Sequence, residues 1–168
     1  TSRLTEHHTA GGMSRTLPYL AELQPAMFVE VSPQLAAERG LEHMGWATIV
    51  TSRAAIEARV LVTERLRPLK VEGRLIHQVW LPYHWGTGGT TLTSGDSTND
   101  LIGLSLDPNV LIQDSKVGTC DVRPGRRPRG PDLLRLVADY RERAGVAGVS
   151  PRHPGEIRAG VNDRDPRF

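Results

Sequence analysis

Residues 29–62 read VEVSPQLAAERGLEHMGWATIVTSRAAIEARVLV, and the order of signals in this stretch decides the fold class. Residues 27–31, MFVEV, have strand character. Ser32 followed by Pro33 has the form of a helix N-cap with proline at the first helical position, and Gly40 closes a short helix, PQLAAERG, whose Leu35 faces the core. Residues 46–51 and 55–62 alternate apolar and polar side chains on either side of Ser52, Arg53 and Ala54. That pattern predicts a hairpin with Ile56, Ala58, Val60 and Val62 on one face.

Working outward, residues 73–81, GRLIHQVWL, predict a further strand, and residues 119–123, TCDVR, a last one. Residues 1–26 are loop-like, punctuated by Gly11, Gly12 and Pro18, with Leu17, Leu20 and Leu23 spaced for one or two helical turns. Short strands outnumber helices. A small closed barrel is then more economical than an open sheet, because closure removes unprotected edges. The expected organisation is an N-terminal segment over 1–26, a β-barrel over 27–124, a basic strap and helix over 125–144, and a disordered tail over 145–168, where Gly, Pro, Arg and Asp dominate.

In the strap, Arg123, Arg126, Arg127 and Arg129 alternate with Pro and Gly. No aromatic platform or nucleic-acid motif accompanies them, so the strap reads as a solvated linker or a contact to another protein surface. Leu133, Leu136, Val137 and Tyr140 then fall at helical spacing, which predicts an amphipathic helix over 132–143 that packs on the barrel or on another chain.

Composition excludes several classes. The chain has 168 residues, room for one domain and a tail, and a formal charge of only +2. Cys120 is its single cysteine, which rules out an internal disulfide, a CxxC pair and a cysteine-ligated zinc or iron–sulfur site made by this chain alone. Cys120 itself reads as a small buried strand residue, His43 as a surface residue and His77 as a structural one. No apolar run is long enough to cross a bilayer, and the first residues lack a signal-peptide pattern, so a soluble chain is expected. The start without Met, in a polar run holding His7 and His8, points to a piece of something larger.

The chemistry concentrates in residues 81–108, LPYHWGTGGTTLTSGDSTNDLIGLSLDP. Gly86, Gly88, Gly89 and Gly95 allow close backbone approach to a ligand, and the Thr and Ser hydroxyls can surround phosphate oxygens. His84 and Trp85 offer a stacking surface, while Asp96, Asn99, Asp100 and Asp107 offer acceptors. Neither GxxxxGK[ST] nor a strand-following GxGxxG is present, which argues against mononucleotide kinases and Rossmann domains. A mobile surface connection of the same composition is the alternative reading of this loop.

Five segments in order, HHTAGGMSR, AMFVEVSPQLAAERGLEHMGWATIVTSR, GRLIHQVWLPYHWG, SGDSTNDLIGLSLDPN and SKVGTCDVRP, resemble the C-terminal molybdopterin-dinucleotide-binding domain of the dimethyl sulfoxide reductase family. Within that family, LPYHWG with NDL and DPN most resembles the large (alpha) subunit of formate dehydrogenase. The resemblance implies a mainly β fold, a double-psi β-barrel with a short inserted helix and a C-terminal helix. It implies molybdopterin guanine dinucleotide as cofactor, with molybdenum or tungsten held in other domains where formate is oxidised to carbon dioxide. Carried over by position, the contacts would be Arg3, His7 facing the pterin, His8, Thr9, Met13 and Ser14, then His84, Trp85 and Gly86, then Asn99 and Lys116. Ser115 with Lys116 departs from the usual Tyr-Lys pair, and Leu4 stands where some formate dehydrogenases carry an acidic residue. No catalytic residue or metal ligand is expected here.

The implied partners are the remaining domains of the large subunit and an iron–sulfur electron-transfer subunit, with no nucleic acid and no membrane contact by this chain itself. Cytoplasmic and periplasmic locations both stay open, since any export signal would lie on a preceding part of the subunit. A non-redox double-psi β-barrel that binds a peptide through the loop and an acidic partner through the strap is the alternative function. A small hydrolase using Asp96 or Asp107 with His84 lacks a nucleophile motif such as GxSxG.

Overall fold

A computed structural model describes residues 1–86, 90–103, 106–113 and 118–146. Lys116, Ser115, Gly88, Gly89 and nearly all of the predicted tail lie outside the described residues. The chain is mainly β and barrel-like. Strand β1 (Phe28–Val31) leads through helix α2 (Pro33–Arg39) to β2 (Trp46–Val50) and β3 (Ala55–Val62), and a short helix α1 (Pro18–Leu23) precedes them. The main sheet curls into a half-barrel in the order β6-β1-β3-β2-β7, where β6 is Val79–Trp80 and β7 is Asp121–Pro124.

The local signals act as their chemistry demands. Ser32 Oγ accepts the Leu35 N–H at 3.1 Å, and Gly40 takes the left-handed conformation at φ 63° that ends α2. The hairpin is antiparallel with Ile49 opposite Ile56 and Val50 opposite Ala55. β1 runs parallel to β3, so the α2–β2 excursion works as its crossover. Val29, Val31, Ala47, Ile49, Ile56, Ala58, Val60, Leu81, Trp85 and Val122 form one core. Each fully buried Val or Ile here contributes roughly 1.5–3 kcal/mol of burial free energy before chain entropy is set against it.

Two expectations change. Residues 73–81 are not one strand: β4 (Leu69–Val71) and β5 (Arg74–Ile76) make a separate exposed hairpin, and only Val79–Trp80 returns to pair with β1. Its turn is the pair Glu72-Gly73, both with positive φ, which matches a two-residue hairpin whose twist suits the flanking strands. The strap is no solvated linker either, because Arg126, Arg127 and Arg129 pair with Glu57 and Asp96 of the same chain. The second face of β3 is covered as well: Glu57 lies under the strap and Ala55 under α3 (Pro131–Arg143), whose Leu133, Val137 and Tyr140 pack with Val50. That helix therefore packs on its own sheet. Cys120 is partly buried against the main core, immediately before β7. His43 is exposed, its Nδ1 accepting the Val62 N–H at 3.2 Å, while half-buried His77 meets Glu38 at 3.1 Å.

Candidate cofactor-binding site

The segments 1–15 and 82–101 meet at His84. Ser2 bridges Pro82, donating its N–H to the Leu81 carbonyl at 2.8 Å and accepting the Tyr83 N–H at 3.3 Å. This register brings His84 to residues 4–9. Its Nε2 accepts the Leu4 N–H at 2.8 Å and its Nδ1 bonds the Thr9 carbonyl. An acceptor on one nitrogen and a donor on the other require the neutral, Nδ1-protonated imidazole. Burial pushes the His84 pKa down; the Thr9 carbonyl opposes this, and His7, Arg3 and Arg15 add to the depression.

Arg15 supplies the second join. Fully buried, it donates from Nε to the His84 carbonyl at 2.8 Å and from Nη1 to Thr91 Oγ1 at 2.8 Å and the Thr93 carbonyl at 2.7 Å. Leu92 N–H returns to the Arg15 carbonyl at 3.0 Å. Burial lowers the Arg15 pKa from its ordinary value, but the guanidinium stays charged. Gly11 must be glycine in this arrangement: its φ is +77° and an added Cβ would sit 2.0 Å from the His84 carbonyl oxygen.

His7 is buried and fully used within the chain. Its Nε2 lies 2.9 Å from the Gln24 carbonyl and its Nδ1 3.2 Å from Ser14 Oγ, which also accepts the His8 N–H at 3.1 Å. The ring stands edge-on to Trp85 at 5.0 Å and 87°. Trp85 is itself buried, and its Nε1–H has no hydrogen-bond partner among the described residues. Gly86 and Gly95 fit tightly around this core, since a Cβ would lie 2.6 Å from Ser97 Cβ at the first and 2.8 Å from Trp85 Cδ1 at the second.

The positions singled out in the sequence thus divide by burial. His7, Ser14, His84 and Trp85 form the buried frame, Gly86 is half-buried, and Arg3, His8, Thr9, Met13 and Asn99 are exposed. Arg3 lies over the Tyr83 ring at 5.5 Å. Asn99 belongs to the turn Thr98–Leu101, capped by Ser97 Oγ and tied down by Thr98 Oγ1 donating to the Pro82 carbonyl at 2.8 Å and Thr51 Oγ1 to the Leu101 carbonyl at 2.9 Å. Asp96 faces inward, accepting from Arg127 and from the Glu57 N–H at 2.9 Å. Asp107 accepts the Val110 and Asn109 N–H groups, which lower its pKa.

Arg15 was not singled out in the sequence, and neither was the pairing of Asp96, there an acceptor for ligand, with Arg127 of the strap; both now brace the two segments from within. Arg15 stands inside the quoted HHTAGGMSR segment, but nothing in the spacing marks it as buried. The exposed groups suit a polar, anionic, flat ligand: a guanidinium for phosphate, an imidazole and an amide for a heterocycle edge, and a hydroxyl. Gly12 adds open backbone, with nothing within 4 Å of an added Cβ. The unmet Trp85 N–H is a further donor at the junction. Among the described residues no group of three or more His, Cys, Asp or Glu could hold a metal ion.

Residues 1–117 match the family described as the molydopterin dinucleotide binding domain. The chain is 40% identical over 123 residues to formate dehydrogenase 2 subunit alpha (cytochrome c-553) of Nitratidesulfovibrio vulgaris, covering 73% of this chain and 12% of that protein. It is 34% identical over 116 residues to the formate dehydrogenase subunit alpha of Megalodesulfovibrio gigas, 69% of this chain and 11% of the relative. The assimilatory nitrate reductase catalytic subunit of Bacillus subtilis is 30% identical over 123 residues, 73% of this chain and 15% of its own. The chain therefore spans only about an eighth of the length of the first two relatives. With the matched region covering both segments joined by His84 and Arg15, the chain belongs to the molybdopterin-dinucleotide-binding domain family.

Proposed function

We propose that this chain is the cofactor-binding part of a formate dehydrogenase large subunit and that its ligand is molybdopterin guanine dinucleotide. The bound cofactor supplies the redox chemistry, two electrons leaving formate as it becomes carbon dioxide and a proton. The work of this chain is to bind and orient. His84 holds residues 4–9 in one path, and Arg15 fastens that path to residues 91–93. Arg3, His8, Thr9, Met13 and Asn99 are then the groups free to meet the ligand, with the half-buried Gly86 beside them; Lys116 stays a contact on the family resemblance alone. His7, Ser14 and Trp85 shape the wall, and the Trp85 N–H is a buried donor of that wall with no partner among the described residues.

The rest of the large subunit and an iron–sulfur subunit are the partners in this reading, and the metal is held by the other domains. One observation carries it: the family match spans both segments, and of the positions in them Arg3, His8, Thr9 and Asn99 are exposed and polar, while the buried His7, Ser14 and His84 are already bonded within the chain. The test is the pterin and guanine nucleotide content of the full-length subunit. Asn99→Ala and His8→Ala should lower it, each leaving a buried edge of the ligand unpaired at about 1–3 kcal/mol, while His43→Ala should not. Equal loss in all three variants would refute the assignment of these segments.

A further inference from the structure

We propose that Arg127 is a positioning residue of the cofactor site, fixing the Asn99-bearing segment from a stretch of chain beyond the family match. The inference rests on the cofactor-binding reading above. The match ends at residue 117, yet the chain continues through β7 along β2 and then turns back. Gly125, at φ +93°, makes that turn, its N–H donating to the Trp46 carbonyl at 2.8 Å and its carbonyl accepting from Thr48 Oγ1 at 3.1 Å. Arg126 lies 4.4 Å over the Trp46 ring, which also carries Arg59 at 4.2 Å. The strap is thereby led across β3.

Arg127 goes inward. Its side chain is 2% exposed, and it forks onto Asp96, with Nε 2.8 Å from Oδ2 and Nη2 3.3 Å from Oδ1. Its own N–H donates to Glu57 Oε2 at 3.0 Å, and the Glu57 N–H donates to Asp96 Oδ2 at 2.9 Å. Segment 94–97 is held to β3 by this ring of bonds. Ser97, the next residue but one to Gly95, caps the turn that presents Asn99. A buried ion pair is a poor source of net stability compared with apolar packing of the same volume, but two parallel bonds fix direction as one cannot. Placement of the Asn99 turn is accordingly the role that the geometry assigns, and the guanidinium fork, not charge alone, is required.

The experiment uses the full-length large subunit with its native domains. Guanine nucleotide released by acid is measured per folded subunit over time after dilution, at a temperature well below each variant's melting midpoint. Arg127→Gln and Asp96→Asn should lose the dinucleotide roughly tenfold to a hundredfold faster than wild type, the range typical when a partner that orients a ligand-holding group is removed. Arg127→Lys should fall between, and Arg126→Gln, which removes a bond to Glu57 Oε1 that Arg129 also makes and leaves the Arg127–Asp96 fork in place, should match wild type. Should Arg127→Gln fail to fold, the isosteric Asp96→Asn decides. A lowered midpoint with an unchanged loss rate would make the pair merely structural and overturn the proposal. So would equal loss from Arg126→Gln. A wild-type subunit without guanine nucleotide would instead overturn the cofactor reading itself, and this inference with it.

Discussion

Gly11 and Gly12 are adjacent and identical in chemistry, yet the structure demands opposite outcomes when each becomes alanine. At Gly11 a Cβ would lie 2.0 Å from the His84 carbonyl oxygen and 3.0 Å from Arg15 Nε, on a backbone at φ +77°. The left-handed conformation alone costs an L-residue roughly 1–2 kcal/mol, and forcing a group into a packed contact costs about 1–3 kcal/mol more. Neither contacting atom can yield cheaply: one is backbone and the other belongs to a fully buried side chain. We expect Gly11→Ala to destabilise the docking of residues 2–15 by about 3 kcal/mol. At Gly12 nothing lies within 4 Å and φ is not positive, so alanine there should be neutral or slightly stabilising through reduced freedom of the unfolded chain. Hydrogen exchange reads the difference where it arises. The Leu4 amide, bonded to His84, and the Leu92 amide, bonded to Arg15, report the docked state. Their protection should fall by about two orders of magnitude in Gly11→Ala, 1.4 kcal/mol being a factor of ten, and be retained in Gly12→Ala. Were the two variants to show the same protection at both amides, the close approach of residue 11 to His84 would be wrong.

Three further outcomes follow from the buried titratable groups. His84 is held below its ordinary pKa of 6.5 first by burial, so the unfolded or undocked chain binds the extra proton; docking strength is full above about pH 6.5 and declines as pH falls through the lower folded value. Leu4 amide protection measured from pH 8 to 5 should show that decline, and His84→Ala should remove the dependence along with the protection. Burial raises the Glu57 pKa but the bonds and charges of Arg126 and Arg129 outweigh it, leaving the carboxyl below 4.5; its stabilisation is present above that value and lost as acid protonates it. Glu57→Gln should cost about 1–3 kcal/mol at pH 7 and flatten stability near pH 4 in urea titrations. Cys120 is pushed from 9.0 up to about 11 by burial and then by Asp121, so its thiolate fraction at pH 8 is about a hundredfold below that of a thiol titrating at 9.0, and alkylation should slow in proportion.

The local architecture of residues 28–62 was legible in the sequence because its determinants are local. Ser32, Pro33 and Gly40 bound α2 through their own backbone preferences, and the alternation on β3 follows from the two-residue repeat of any strand. Family membership was legible for a related reason, since ordered short segments survive as a pattern along the chain. The long strand read into residues 73–81 failed because apolar and β-branched character does not say which neighbour a strand will find; the Glu72-Gly73 turn gave residues 74–76 a nearer partner in Leu69–Val71. Burial of charge was decided only in three dimensions. Arg15 and Arg127 are as polar in sequence as Arg3, and it is the convergence of His84, Thr91 and Thr93 on one, and of Asp96 on the other, that removes them from water at tolerable cost. The same convergence sorted the candidate ligand contacts. His7 and His8 are neighbours of one residue type, but the first has both ring nitrogens near partners in the chain while the second faces solvent, because a bend in the backbone points adjacent side chains apart and no composition rule encodes which one turns inward.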